Sequence, residues 1–256
     1  MQEGSRIVAV IPARMGSSRY PGKPLARILG LPMIEHVYHR VAACRSLQAV
    51  YVATCDREIH DCVCAFGGET ILTSPSHPTA SDRVAEAAQQ IDADIFVMVQ
   101  GDEPMVVPEM IDRALVPMLH DASIGCVNLT KRIITEAEFL DPNTIKIVMD
   151  NQGNALLMSR EPIPTRCLLG FENIPAFKQV CVIPFRREAL LRYAHLQRPA
   201  SELAESVDML RFLVHGYSVR TVETEFDTHA VDTPADLKQV EERMRNDPAV
   251  RQYLPM

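Results

Sequence analysis

The sequence predicts an α/β protein: a doubly wound, mostly parallel sheet with a smaller β-containing lobe. Three observations lead there. Short β-branched runs alternate with amphipathic stretches from Arg6 to Gln100, the rhythm of strand–helix–strand units that build parallel sheets. The loop after the first run holds glycine, serine and positive charge, at the place where open α/β sheets meet their ligands. From about Ile124 the rhythm changes to shorter runs and a Pro-rich stretch. This marks the lobe, at about residues 128–225, within a single domain spanning 1–256.

The elements follow in order. Arg6-Ile7-Val8-Ala9-Val10 is a buried strand. From Met33 to Cys44, apolar residues at Ile34, Val37, Tyr38, Val41 and Ala42 have helical spacing. Ala49 to Thr54 is the second strand, Glu58 to Phe66 a helix stopped by Gly67-Gly68, and Thr70 to Thr73 the third strand. Ser81 to Ile91 reads as a helix with Ser81 as its N-cap. Asp94 to Gln100 is the fourth strand, running into Gly101-Asp102-Glu103-Pro104. Beyond it, Gly125–Thr130 and Ile145–Met149 read as strands, and Pro162, Pro164 and Pro175 mark a loop. Lys178–Pro184 reads as one strand, Glu188–His195 and Ser201–His215 as helices, Tyr217–Glu223 as a strand, and Ala235–Arg245 as the closing helix.

Composition excludes several classes. With 256 residues, 47% hydrophobic and 23% charged, the chain buries a full core and is not disordered. A net charge of −7 opposes a nucleic-acid or anionic-membrane partner, so any anionic substrate needs a local basic cluster. No apolar run nears the roughly 18 residues of a membrane span, and Met1 to Ser5 lacks the regions of a signal peptide. The seven cysteines mostly sit in apolar surroundings, as in Gly125-Cys126-Val127. They read as reduced thiols of a cytoplasmic protein. Cys62-Val63-Cys64 has no second pair at ligand spacing, so it does not read as a zinc site.

The segment Ile11 to Leu25 carries Gly16, Gly22, Ser17, Ser18, Arg14, Arg19 and Lys23. Glycines let backbone N–H groups approach an anion, and the cations supply the charge a triphosphate demands. Asp102, one step past a buried strand, suits Mg²⁺ held against a triphosphate, but it equally suits the cap of the next helix. Asp232 raises the same alternative, because Thr233-Pro234 after it is a strong helix start. Basic loop, Gly-Asp-Glu-Pro turn and Val-Asp-Thr-Pro turn together are more specific than any one of them.

On these motifs the chain resembles the CMP-Kdo synthetases, cytidylyltransferases that activate 3-deoxy-manno-octulosonate (Kdo). The resemblance runs almost end to end and in the family's order: Ile11–Leu25, Met33-Ile34 with His36-Val37, Val52–Thr54, Gly67-Gly68, Val99–Pro104, Asn143–Val148, Ser159-Arg160, Arg186-Arg187, Leu210-Arg211 and Val231–Leu237. It implies a nucleotide-diphospho-sugar transferase-like fold, CMP transfer from CTP to a small anionic acceptor, pyrophosphate release, and a homodimer formed through the smaller lobe. It implies that Arg14, Arg19 and Lys23 grip the triphosphate, with Lys23 and Arg14 stabilising charge in the transition state. Pro12, Ala13, Gly16, Ser17, Thr79, Ala80, Ser81, Arg83 and Gln100 complete the implied nucleotide site. Asp102 and Asp232 are the implied Mg²⁺ carriers. Gln100 and Arg160 address the acceptor, the planar guanidinium of Arg160 suiting a carboxylate. No protein nucleophile is required, since such transfers rest on positioning and electrostatics.

The departures concern the base and acceptor pockets. Ser74 stands where the family commonly has Arg, and Thr79-Ala80-Ser81 replaces its Ser-Gly-Thr. Lys178-Gln179-Val180-Cys181-Val182-Ile183 replaces Lys-His-x-Gly-Ile-Tyr, Asp208-Met209 replaces Glu-Gln, and Thr228-His229-Ala230 replaces a glycine-containing run. Gln179, Ile183, Asp208 and Met209 are therefore expected to line an acceptor wall poorer in hydroxyl-binding groups. A polyol loses affinity when such partners go. Three readings follow: a Kdo-type acid as acceptor, a compact acid such as phosphonoformate of phosphonate biosynthesis, or a catalytically silent nucleotide-binding protein. Retention of Lys23, Asp102 and Asp232 argues against the last.

Overall fold

The computed structural model describes residues 4–16 and 20–254. At its centre is β1 (Ile7–Ala13), buried at every position. Ile7, Ala9, Ile11 and Ala13 enter one core, while Val8 and Val10 enter the other. Burial on both faces explains why this run is continuously apolar rather than alternating. A small hairpin of β2 (Arg27–Ile28) and β3 (Leu31–Pro32) leads into α1 (Met33–Ala42). Then come β4 (Ala49–Thr54), α2 (Arg57–Ala65), β5 (Glu69–Leu72), α3 (Ala80–Gln90), β6 (Ile95–Val99) and α4 (Pro108–His120). β1 pairs in parallel with β4 and β6, and β4 with β5. α1 and α4 cover one face and α3 the other, the doubly wound arrangement expected.

α4 has no counterpart in the sequence reading. Its prolines obscure it, although Pro108 sits in the first turn, where no N–H is needed. Met110, Ile111, Ala114, Leu115 and Met118 carry the helical spacing into the first core.

The second half adds β7 (Val127–Arg132), α5 (Glu136–Leu140), β8 (Lys146–Met149), β9 (Ala155–Ser159), β10 (Phe177–Val180) and β11 (Val182–Arg186). It closes with α6 (Arg187–His195), α7 (Ala200–Glu205), α8 (Leu210–Val214), β12 (Arg220–Glu223) and α9 (Pro234–Met244). A second five-stranded sheet has the order β12-β7-β10-β8-β9, antiparallel except for the β12–β7 pair.

Two elements expected to be continuous are broken. The strand read over Lys178–Pro184 divides at Cys181: β10 belongs to the second sheet, while β11 pairs antiparallel with β6. The first sheet therefore has the order β11-β6-β1-β4-β5. An apolar run cannot disclose that its halves pair with different neighbours. The helix read over Ser201–His215 is interrupted at Ser206, whose φ of 52° places it in the left-handed region, so the chain turns between α7 and α8. β9 is a further strand unassigned from sequence.

Candidate active site

Two adjoining cavities open beyond the C-terminal ends of β1 and β6, as expected for open α/β sheets. The smaller, about 310 Å³, is lined by Pro12, Ala13, Arg14, Gly16, Lys23, Thr79, Ala80 and Arg83, all residues expected to bind nucleotide. Ser17 and Arg19 lie outside the described residues. The larger, about 940 Å³, runs along the second sheet and is lined by Arg160, Gln179, Ile183 and Asp208 among others. Arg14, Gln100, Asp102, Ser206 and Asp232 line both.

Local structure explains why the two acids face this junction. The turn after β6 closes with the N–H of Glu103 donating to the carbonyl of Gln100 at 3.1 Å. Gly101 fits there because a Cβ would meet the carbonyl oxygen of Pro12 at 3.0 Å. α4 begins only at Pro108, with Val107 in the cap position, so Asp102 caps nothing. At α9 the cap is Thr233, which accepts from the N–H of Asp236, while the Asp236 carboxylate accepts from the N–H of Thr233. With that capping box complete, Asp232 is spared for the junction. Gly22, with φ of 73°, is the left-handed residue before the turn that presents Lys23.

Lys23 Nζ donates to Asp102 Oδ2 at 2.6 Å and to Asp232 Oδ1 at 3.3 Å. Burial opposes its charge, but the two carboxylates outweigh that and hold its pKa above the ordinary lysine value. Two carboxylates converging on one cation, beside a loop suited to phosphates, fit Mg²⁺, which is bound by one or two carboxylates plus phosphate oxygens. Among the described residues no group of three or more His, Cys, Asp or Glu side chains could hold a metal alone.

Arg160 is anchored by backbone. Its guanidinium donates to the carbonyls of Glu205 at 2.7 Å, Pro142 at 3.0 Å and Ser206 at 3.4 Å. The Glu205 carboxylate takes the Arg160 backbone N–H instead, at 2.8 Å. Lys146, fully buried, gathers the same loop through the carbonyls of Asp141, Thr144 and Arg160. Backbone carbonyls therefore fix the orientation of the Arg160 guanidinium beside the large cavity. Gln179 lines that cavity and donates to Asn128 Oδ1 at 2.6 Å.

Two assignments need correction. Met209 is fully buried and packs in the second core beside Cys126, so it lines neither cavity. Ile183 does line the large cavity as expected, although it is only 2% exposed and also packs in that core. Ser81 is neither the cap of α3 nor on the cavity wall. Thr79 is the cap, accepting from the N–H of Asp82, while the buried Ser81 donates its own N–H to Asp208. An apolar side chain next to a site motif points into the core as readily as into the site, and sequence does not tell which.

Other groups went unforeseen. His77 lines the small cavity and pairs with Glu86, which also accepts from the N–H of Ser74 at 2.8 Å. Arg211, 2% exposed, binds Asp82 and Glu202 and lies 4.1 Å over the ring of Tyr193. It ties the start of α3, on the nucleotide side, to the turn carrying Ser206. Glu103 is buried on the wall of the large cavity; burial, with Asp102 next in influence, pushes its carboxyl up to about 8. Lys131 and Lys178, also on that wall, are paired with Asp227 and Glu138.

Comparison with known proteins agrees with this geometry. The profile of a family described as cytidylyltransferase matches residues 8–224. The 3-deoxy-manno-octulosonate cytidylyltransferase of Geobacter metallireducens is 44% identical over 250 residues, covering 93% of this chain and 98% of that protein. Its counterpart in Geotalea uraniireducens is 42% identical over 249 residues, covering 94% and 99%. The solved structure of a CMP:2-keto-3-deoxy-manno-octonic acid synthetase complexed with CTP superposes with a TM-score of 0.87 at 40% identity, over 94% of this chain and 99% of that one. A 4-diphosphocytidyl-2C-methyl-D-erythritol synthase from Anaerococcus prevotii shares the fold at a TM-score of 0.64 and 14% identity, over 95% and 100%.

Proposed function

The chain belongs to the cytidylyltransferase family and is a nucleotidyltransferase; we propose that it transfers CMP from CTP to 3-deoxy-manno-octulosonate, with Mg²⁺, releasing pyrophosphate. One observation carries this reading: Asp102 and Asp232 stand where the two cavities meet, with Lys23 between them. We assign CTP to the smaller cavity and the acceptor to the larger. The acceptor's hydroxyl oxygen then bonds to the α-phosphorus, and the bond to pyrophosphate breaks.

Asp102 and Asp232 would hold Mg²⁺, which neutralises charge on the phosphate oxygens. Lys23 and Arg14 stabilise the charge that develops as pyrophosphate leaves. Arg160, oriented by backbone carbonyls, takes the acceptor carboxylate. Thr79, Ala80 and Arg83 face the nucleotide from the start of α3.

The compact-acceptor reading rested on an apolar wall at Ile183 and Met209. With Met209 in the core and Ile183 almost covered, the altered groups lining the cavity include the polar Gln179, Asp208, Thr228 and His229. A polyol finds partners there, and the relatives are named for Kdo.

A homodimer is proposed through the smaller lobe. Its edge strand β9 exposes Leu156 and Leu157, and the following loop exposes Leu168 and Leu169, groups that a partner would cover. Charged substitutions at Leu156 and Leu168 should then yield monomers in sedimentation. No helix among the described residues is long and apolar enough to cross a membrane; the proposed site of action is the cytoplasm.

The deciding assay measures pyrophosphate release from CTP with Kdo, with phosphonoformate, and with no acceptor, each with Mg²⁺ and with EDTA. Release with Kdo that EDTA removes is the expected result. Release with phosphonoformate alone overturns the acceptor, and none with any acceptor overturns the activity.

A further inference from the structure

Glu103 is a buried carboxyl group on the wall of the larger cavity with no part in the reaction proposed above. It shares a tight turn with Asp102, but the two carboxyl groups go to different places. Asp102 lines both cavities and binds Lys23, whereas Glu103 lines only the larger cavity. It is 4% exposed, and among the described residues its Oε2 has no hydrogen-bond partner. The cations whose charge reaches it, Lys178 and Lys23, are bound to other acids: Lys178 to Glu138, and Lys23 to Asp102 and Asp232.

Leaving a buried carboxyl oxygen unpaired is among the costlier things a fold can do, and such groups are rare without a function. A structural role would have recruited a donor. We propose that Glu103 is a specificity-determining residue that holds a hydroxyl of the acceptor. This rests on the assignment of the larger cavity to the acceptor. An uncharged hydroxyl fits the position on two grounds. It satisfies a carboxyl oxygen whether or not the acid carries its proton, since a hydroxyl both donates and accepts. A second anion would instead meet Asp102 and Asp232 close by. Arg160 and Glu103 then divide the work, one taking the carboxylate and the other a hydroxyl. A site built to bond a hydroxyl rejects analogues lacking it, because the buried partner is left unsatisfied.

The test uses Glu103→Leu and Glu103→Gln in the full chain, with Kdo and its single-deoxy analogues as acceptors. Glu103→Leu should lower kcat/KM for Kdo at least tenfold, mainly through the acceptor KM. The KM for CTP and the Mg²⁺ concentration for half-activation should stay within twofold. Its Tm should not fall, since an unpaired buried carboxyl is being removed. One deoxy analogue should be penalised by the wild type to the same degree and be turned over equally by wild type and Glu103→Leu. Glu103→Gln, which keeps a hydrogen-bonding group, should recover part of the loss, and it carries the same comparison if the leucine variant does not fold. Unchanged kcat/KM for Kdo, or a loss uniform across all analogues with a shifted Mg²⁺ requirement, overturns the proposal. A wild type inert to Kdo overturns the acceptor assignment, a failure seen before any variant is made.

Discussion

The cavity proposed for the nucleotide and the cavity proposed for the acceptor are built differently. The nucleotide side is assembled from contiguous segments at the ends of parallel strands: the loop after β1, the turn after β6 and the start of α3. Its chemistry sits in backbone turns and short motifs, and its central cation is bound to two acids of the same site. The acceptor side draws on β10, β11, α5, the turn between α7 and α8, and the chain before α9. There Lys131 and Lys178 are paired with acids on the same wall, Arg160 hangs from carbonyls, and one oxygen of Glu103 has no partner among the described residues. A triphosphate can be met by a local charged loop, because one strand end supplies many N–H groups and cations together. A polyol acid needs partners on several sides, so its pocket forms only where distant segments converge.

The sharpest break in that comparison is at the junction. Asp102→Asn and Asp232→Asn should each lower turnover by about 10³-fold or more, on the scale of removing a key electrostatic group, with circular dichroism unchanged. Retained activity in either variant would detach the junction from the chemistry. The link between the two sides is tested next. Asp82→Asn removes one partner of buried Arg211 and should cost about 3 kcal/mol in denaturant unfolding at pH 7. Burial raises the Asp82 pKa, but hydrogen bonds from Arg211 and Thr79 outweigh that and hold it below 3.8. Asp82 therefore stabilises the fold fully above that value, and the contribution is lost as pH falls through its lower folded pKa. The difference between wild type and variant should accordingly shrink below about pH 4.

A smaller effect is expected on the acceptor side alone. Arg160→Ala should raise the acceptor KM by roughly 10- to 100-fold, the range for a hydrogen bond to a charged group, and leave the KM for CTP unchanged. A matching rise for CTP would mean that the turn carrying Ser206, which lines both cavities, had collapsed. The smallest effect is expected at Met209. Met209→Leu, a volume-conserving change in the second core, should cost less than about 1.5 kcal/mol and leave acceptor kinetics untouched. A changed acceptor preference would return Met209 to the pocket wall.

The same contrast governs what could be read in advance. Pro12 to Gly16, Lys23, Gln100 to Asp102 and Asp232 were legible because each lies at or near an element end marked by glycine or proline, where side chains have few places to go. Ser81 was misjudged by two positions at a helix start, where Thr79 and Ser81 both offer a capping hydroxyl. Met209 was misjudged because the chain between α7 and α8 is positioned by packing partners far away in sequence. Glu103, His77 and Lys146 gave no signal, since a charged residue in a turn or strand usually faces water.

By itself the sequence determined the doubly wound architecture of the first half, the basic glycine-containing loop and the two acids, because strand periodicity, turn chemistry and capping residues act over a few positions. Only the tertiary structure decided that the two acids converge on Lys23, that Arg160 is clamped by carbonyls, and which side chains face the acceptor. Those outcomes depend on which strands become neighbours and on which polar atoms remain unpaired once they do.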